Sequence, residues 1–199
     1  MTVHLNRQLA PIAAALLAVL QPAQALAQAK PPPPAAPVAR HDGAHDFDFL
    51  LGDWKAHVKR LPDRLVGSTA WIEYDGISRT HPVLGSSANF EEFEVDSPQA
   101  KAHIKAQTLR LYNPQSGQWS IYGLDVDNGA LGLPATVGQF TNGRGELFDY
   151  EDWKGRMVLV RYQWTHAGHD RAHMEQAFSP DGGKTWEVNW ICDLIREGS

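Results

Sequence analysis

The chain has 199 residues, of which 43% are hydrophobic, and its formal net charge at pH 7 is −5. This acidic balance argues against nucleic acid or an anionic membrane surface as the main partner, because both require a basic face. Cys192 is the only cysteine, so no disulfide can form within the chain. Stability must therefore come from packing, for which seven Trp, five Tyr and seven Phe are well suited.

The first 29 residues have the three regions of a secretory signal peptide. Arg7 supplies a positive charge, an Ala- and Leu-rich run follows from Leu9 to Leu20, and an A-x-A cleavage site ends at Ala27 or Ala29. The apolar run is shorter than the ~20 residues that a membrane span needs. We therefore predict a periplasmic or secreted protein with no membrane anchor in its mature chain.

Residues 30–45, "KPPPPAAPVARHDGAH", form a Pro- and Ala-rich segment. Consecutive prolines lack backbone donors and favour polyproline II, which predicts a stiff, solvated linker. Residues 46–199 then provide enough chain for one domain with a substantial core.

Strand patterns follow one another through this domain. "WKAHVKRL" alternates apolar and polar residues, which is typical of a half-buried strand, and Gly- and Pro-containing clusters separate it from later patterns. A sustained helical period is lacking after residue 60, although Ser97 could begin a helical turn. The predicted strands are 54–61, 69–74, 89–95, 106–112, 118–125, 136–140, 145–153, 156–164, 172–178 and 185–195.

The number of predicted strands and their short links indicate an antiparallel sheet. A sheet of this size hides its edges best by closing on itself. We therefore predict one all-β domain, an antiparallel up-and-down β-barrel of about 8–10 strands. An open β-sandwich is the alternative.

Residues 179–186, "SPDGGKTW", match the S-x-D-x-G-x-x-W spacing of an Asp box, a motif best known from sialidases and other β-propellers. A propeller needs about four or more blades of ~40–45 residues, and this domain has room for about three. We interpret the motif as a hairpin. In this hairpin the Asp181 carboxylate accepts backbone N–H bonds of its own turn and Trp186 packs beneath it.

A more informative pattern opens the domain, where Phe49-Leu50-Leu51 leads into Gly52-Asp53-Trp54. This opening resembles that of the lipocalin (calycin) superfamily. The domain as a whole, with "YNPQSGQWSIY" and "EQAFSPDGGKTWEVNW", is similar to a bacterial family of exported lipocalin-like proteins. The resemblance implies that a short helix closes the barrel's base, that Trp54 plugs it, and that Arg196 covers Trp54 within about 6 Å of its ring.

A small closed barrel offers one interior, which suits a single small molecule. We expect an apolar or aromatic ligand there and no cofactor. The expected aromatic walls are Trp164, Trp190, Tyr122 and Tyr162. The expected polar groups are Arg161, Glu175 and Asn189. Core packing for the aromatic residues, and a solvated face for the polar ones, are the alternatives.

Two other functions stay open. An isomerase, lyase or hydrolase could use the same cavity, with Glu175 as acid or base and Arg161 as its electrostatic partner, and both would then face inward. A periplasmic interaction module would instead use an open sheet edge. The sequence has no nucleophile elbow or phosphate loop, so the catalytic residues stay unassigned. The His-rich segment 166–173 predicts an exposed hairpin, and we expect no metal site.

Overall fold

The computed structural model describes residues 42–83 and 87–198, so the predicted signal peptide and linker residues 30–41 lie outside the described residues. Two short 3-10 turns, η1 (Gly43–His45) and η2 (Asp48–Leu50), precede the strands. Within these residues, no helical segment has the length and apolar character needed to span a bilayer. The strands are β1 (Gly52–Arg60), β2 (Ile72–Pro82), β3 (Ala88–Ser97), β4 (Ala102–Asn113), β5 (Gln118–Asp125), β6 (Ala130–Leu131), β7 (Thr136–Thr141), β8 (Arg144–Trp153), β9 (Arg156–Ala167), β10 (Arg171–Ser179) and β11 (Glu187–Arg196).

The strands form a closed antiparallel barrel. Each strand pairs with its neighbour in sequence, β1 pairs with β11, and the pairing of β5 with β7 passes over the short strand β6. Ten strands make the barrel and β6 is an extra strand beside β5. The predicted up-and-down barrel is therefore confirmed, and the open sandwich is not adopted. Closure also removes the open edges that the interaction-module hypothesis requires.

Strand boundaries differ most from the predicted ones at two places. β2 begins at Ile72 and continues to Pro82, although its second half lacks a strong apolar alternation. Ser97 ends β3 and pairs with Ala102 across a short turn, so the expected helical turn at Ser97 is wrong. In both cases pairing with the adjacent strand decides the conformation, because cross-strand contacts outweigh weak local preferences.

The N-terminal turns close the base of the barrel. The indole Nε1 of Trp54 donates to the carbonyl of Leu50 at 2.7 Å, and Nε1 of Trp119 donates to the carbonyl of Gly43 at 2.8 Å. Phe47 is fully buried and makes edge-to-face contacts with Trp119 and Phe140 at 5.1 and 4.9 Å. Gly43, in the segment that the composition assigned to the linker, thus packs on the barrel.

Arg196 joins the last strand to this base. Its Cζ lies 4.1 Å from the centroid of the Trp54 ring, and Nη1 donates to the carbonyl of Leu51 at 2.7 Å. Nη2 donates to the carbonyl of Phe49 at 3.0 Å. Gly52 has a φ of 114°, and a Cβ on it would lie 2.7 Å from Nη1 of Arg196. The expected contact between Arg196 and Trp54 is confirmed, and it explains why glycine precedes the tryptophan.

The Asp box forms the hairpin between β10 and β11. One carboxylate oxygen of Asp181 accepts from the backbone N–H groups of Lys184 and Thr185 at 3.1 and 2.9 Å. The Ser179 hydroxyl accepts from the N–H of Gly183 at 2.7 Å, and the Trp186 indole donates to the Gly183 carbonyl at 3.1 Å. The motif therefore organises its own turn, as expected.

Candidate functional site

The barrel encloses a cavity of about 430 Å³. This volume falls within the ~300–1,000 Å³ typical of small-molecule sites. Its walls are inward-facing side chains of the strands, together with Arg64 from the connection between β1 and β2. The larger apolar side chains of the wall are those of Phe93, Ile104, Ile121, Trp164, Met174, Trp190 and Leu194.

A buried ion pair forms one polar wall. Arg110 is 1% exposed, and its Nη2 donates to the carboxylate of Glu91 while Nη1 donates to Oδ1 of Asn89 at 3.1 Å. The Ser78 hydroxyl donates to the other Glu91 oxygen at 2.6 Å. The Arg110 guanidinium also lies 5.3 Å from the ring centroid of Trp164. A buried charge requires such compensation, so this network holds the wall in one arrangement.

The sequence pattern did not predict this network, because the leucines of β4 lie on the strand face opposite to Arg110 and suggest that their own face is the buried one. Leu109 and Leu111 suggest an apolar face that excludes Arg110, yet Arg110 points inward and Leu111 is exposed. Asn89 is the register partner of Arg110 in the β3–β4 hairpin. A register count across this hairpin would have placed their polar side chains on one face.

A second polar group lies around Tyr162. Nε2 of Gln176 donates to the Tyr162 hydroxyl at 3.2 Å, and both side chains line the cavity. Burial raises the pKa of Tyr162, and the negative charges of Glu151 and Asp149 raise it further. The Tyr162 hydroxyl therefore stays protonated at neutral pH and can act as a hydrogen-bond donor.

Two carboxyl groups, those of Asp149 and Glu151, lie next to this part of the wall without lining the cavity. Burial is the main cause that raises the pKa of both Asp149 and Glu151. A hydrogen bond from the Thr136 hydroxyl opposes the shift at Asp149, and the positive charge of Arg64 opposes it at Glu151. Thr136 and Arg64 themselves line the cavity, so these carboxyls are one side chain removed from it.

The structure brings three of the predicted site residues together. Trp164, Trp190 and Tyr162 line the cavity. Tyr122 does not, because it lies between Ile121 and Gly123, which both line the cavity, and successive side chains of a strand point to opposite faces.

The other predicted residues are also absent from the cavity wall. The guanidinium of Arg161 lies 4.4 Å from the ring centroid of Trp186, and the carboxylate of Glu175 lies 3.3 Å from Nε2 of His173. On β9 and β10 the side chains that point inward are those of the residues adjacent to Arg161 and Glu175. The expected internal pair of Arg161 with Glu175 is therefore not formed. Asn189 is fully buried beside the irregularity in β10–β11 pairing, where its Nδ2 donates to the Glu187 carbonyl at 3.4 Å.

The histidines have separate partners. His166 stacks on Phe49 with 4.7 Å between ring centroids, His169 contacts Asp170 at 3.1 Å, and His173 contacts Asp193 at 2.7 Å. Among the residues that the structure describes, no group of three or more His, Cys, Asp or Glu side chains could hold a metal ion.

Comparisons with known proteins support the fold. No family model matches the sequence, and no curated protein matches it. Among solved structures, the S-type phycobiliprotein lyase CPES from Guillardia theta matches with a TM-score of 0.55 and 11% identity. The match covers 80% of this chain and 99% of the lyase chain. At this identity the likeness concerns the fold alone, and it agrees with a lipocalin-like barrel.

Proposed function

We propose that this protein binds a small, largely apolar molecule in the interior of its barrel. The observation that carries the proposal is the cavity of about 430 Å³ with a wall rich in aromatic and aliphatic side chains. Removing such a surface from water favours binding of an apolar ligand, and the rigid barrel keeps the cost of ordering the site low. The polar groups in the wall would then select among apolar ligands.

Gly123 offers a way to fill this cavity without disturbing the barrel. A Cβ at Gly123 would meet no atom within 4 Å, and Gly123 lines the cavity. Gly123→Leu therefore places a new side chain in the ligand's space. Tyr122→Leu is the matched control, because it changes the adjacent residue of β5 on the opposite face.

The experiment is a titration with N-phenylnaphthylamine, a neutral apolar probe whose emission increases in an apolar site. We expect saturable binding of one probe per chain to the wild type and to Tyr122→Leu. For Gly123→Leu we expect affinity at least about tenfold lower. If the wild type leaves the probe emission unchanged, or if both variants bind as well as the wild type, binding in this cavity is contradicted.

Catalysis in the same cavity is a second candidate. The specific observation is the burial of Asp149 and Glu151 behind the wall, which raises their pKa values and favours roles in proton transfer. The structural neighbour is by name a lyase. In this candidate Asp149 and Glu151 take the acid–base role that the sequence predicted for Glu175, and Arg161 has no part as an electrostatic partner.

A metabolite extract of the producing cell, incubated with the protein and followed by mass spectrometry, tests the enzymatic candidate. An enzyme should deplete one compound and accumulate another, and Glu151→Gln should slow this change while Glu197→Gln, at an exposed position near the chain's end, should not. A compound that is bound but recovered unchanged would leave binding as the function.

Export is proposed from the sequence of residues 1–29. The expected result is a periplasmic or secreted protein whose amino terminus, read by peptide sequencing, is residue 28 or 30. A cytoplasmic protein that retains residues 1–29 would contradict export, and it would leave the binding proposal unaffected.

A further inference from the structure

More positively than negatively charged side chains line the cavity. Three guanidinium groups and one carboxylate line it, those of Arg60, Arg64, Arg110 and Glu91. The Glu91 carboxylate bonds directly to Arg110, so this pair is electrically compensated. Arg60 and Arg64 therefore leave an excess of positive charge at the wall.

Arg64 is held in place by the protein. It is 8% exposed, its Nε donates to the carbonyl of Leu61 at 3.3 Å, and its guanidinium lies 4.6 Å from the ring centroid of Phe178. Burial is the first cause that lowers its pKa, and the positive charge of Arg60 is the second. The carboxylates of Glu151 and Glu187 act in the opposite direction, so Arg64 has partial compensation.

Arg60 has no such compensation in the part of the chain that the structure describes. It ends β1 on the inner face and lines the cavity, and no carboxylate among residues 42–83 and 87–198 forms an ion pair with it. Two guanidinium groups near one another in a partly enclosed space repel each other. A bound anion would relieve that repulsion and supply the missing acceptor.

Trp190 adds a neutral donor beside Arg60. The two residues are register partners in the β1–β11 pairing, and Trp190 also lines the cavity. The indole Nε1 is buried, and it has no hydrogen-bond partner among the described residues. An indole N–H can only donate a hydrogen bond. A modest adjustment of the Trp190 side chain would let its Nε1 donate to an acceptor atom of a ligand.

We propose that Arg60, Arg64 and Trp190 form a carboxylate subsite, and hence that the ligand is an amphipathic organic acid. This inference rests on the proposed function, namely binding of an apolar molecule in the cavity. The carboxylate oxygens accept from the guanidinium of Arg60, with Arg64 and the indole of Trp190 as further donors. The apolar body of the acid lies along Phe93, Ile104 and Met174.

The test compares two probes that share one chain length, dodecanoate and dodecanol, by displacement of N-phenylnaphthylamine at a pH where the acid is ionised. We expect the wild type to bind dodecanoate at least about tenfold more tightly than dodecanol, as charge-assisted bonds in a partly buried site allow. Arg60→Gln should abolish this preference, with dodecanol affinity changed less than about threefold.

Arg79→Gln is the matched control, since Arg79 is half exposed on β2 and its Nε lies 3.5 Å from Asp53. It should keep the preference of the wild type. Equal affinity of the wild type for both probes, or a full preference in Arg60→Gln, would overturn the carboxylate subsite while binding itself survives. Failure of both probes and of N-phenylnaphthylamine would overturn the subsite and the proposed function together. Equal affinity of the wild type for both probes would overturn the subsite even if Arg60→Gln does not fold.

Discussion

Asp181 organises its turn with a single carboxylate. Both oxygens accept hydrogen bonds, from two backbone N–H groups and from the hydroxyls of Ser179 and Thr185. The hydrogen bonds from Thr185, followed by those from Ser179 and Lys184, lower the pKa of Asp181 to about 2. These bonds are stronger to the ionised carboxylate than to the protonated one, which links the stability of this turn to pH.

Asp181→Ala should lower the thermal midpoint while leaving ligand affinity unchanged, because the hairpin lies apart from the cavity wall. The folded pKa of about 2 is below the ~3.9 of an unfolded chain. The stabilisation is therefore complete above the unfolded pKa and is lost as pH falls toward the folded one. Thermal melts of the variant and the wild type should thus differ most near neutral pH and converge in acid. Lys184→Ala, in the same turn, should match the wild type throughout.

His173 stands between two carboxylates on the outer face. Its ring nitrogens lie 2.7 Å from Asp193 and 3.3 Å from Glu175. Partial burial lowers its pKa, but the hydrogen bonds and charges of Asp193 and Glu175 outweigh burial and raise it overall. A protonated His173 therefore stabilises the folded state.

His173→Gln should destabilise the protein more in mild acid than in alkali. The stabilisation that comes from a raised histidine pKa is fully present below the pKa of the unfolded state, ~6.5. It is lost as pH rises through the pKa of the folded state. Thermal midpoints of the variant and the wild type measured across this range give the test. His81→Gln, at an exposed position, is the control. A difference that is constant across the range would contradict a charged role for His173.

At the scale of the strands, two inward-facing glycines allow close approach of neighbours. A Cβ at Gly76 would collide with the carbonyl oxygen of Glu94 and lie 2.7 Å from Cα of Val95. A Cβ at Gly138 would collide with the carbonyl oxygen of Glu146 and lie 2.6 Å from Cα of Leu147. The obstacles are backbone atoms of paired strands, which cannot move aside without breaking ladder hydrogen bonds.

Gly76→Ala and Gly138→Ala should each reduce the free energy of unfolding by about 1–3 kcal/mol, the typical cost of forcing an extra methyl into a packed interior. Urea unfolding measures this change. Gly123→Ala provides the control, since a Cβ at Gly123 meets nothing within 4 Å. Equal midpoints for all three variants would mean that the barrel tolerates wider strand spacing at these positions.

At the scale of the whole molecule, Arg196 connects the two ends of the domain. Beyond its contact with Trp54, it donates to the carbonyls of Phe49 and Leu51, and its Nε donates to the His169 carbonyl at 3.1 Å. The planar guanidinium can reach these carbonyls while it lies flat on the indole. Lysine keeps the charge, but it lacks this geometry.

Arg196→Lys should therefore lower the free energy of unfolding by about 2–4 kcal/mol, through lost charge-assisted bonds to the partly buried carbonyls of Phe49 and Leu51 and lost contact with the Trp54 ring. Urea unfolding followed by Trp emission measures the loss. Arg171→Lys, an exposed arginine on β10, should change the midpoint little. If both variants unfold at the wild-type midpoint, closure of the base does not depend on Arg196.

Local chemistry was sufficient to predict most of the strands and turns. Side-chain alternation identified β1, Gly- and Pro-containing clusters marked the links, and the Asp box contains every group that its own hairpin needs. The base formed by Gly52, Trp54 and Arg196 was instead predicted from the resemblance of these residues to the lipocalin pattern, and the contact of Arg196 with Trp54 confirms it.

The inner face of the mixed strands could not be assigned in this way. β4, β9 and β10 have polar and apolar residues on both faces, so their composition does not state which face is buried. Pairing across the barrel turns Arg110 inward and Arg161 and Glu175 outward, and a chain connection places Arg64 against the cavity. A shift of one residue in register exchanges the two faces, and register depends on contacts between distant parts of the chain. Short-range patterns therefore predicted the barrel, whereas long-range pairing determined its cavity.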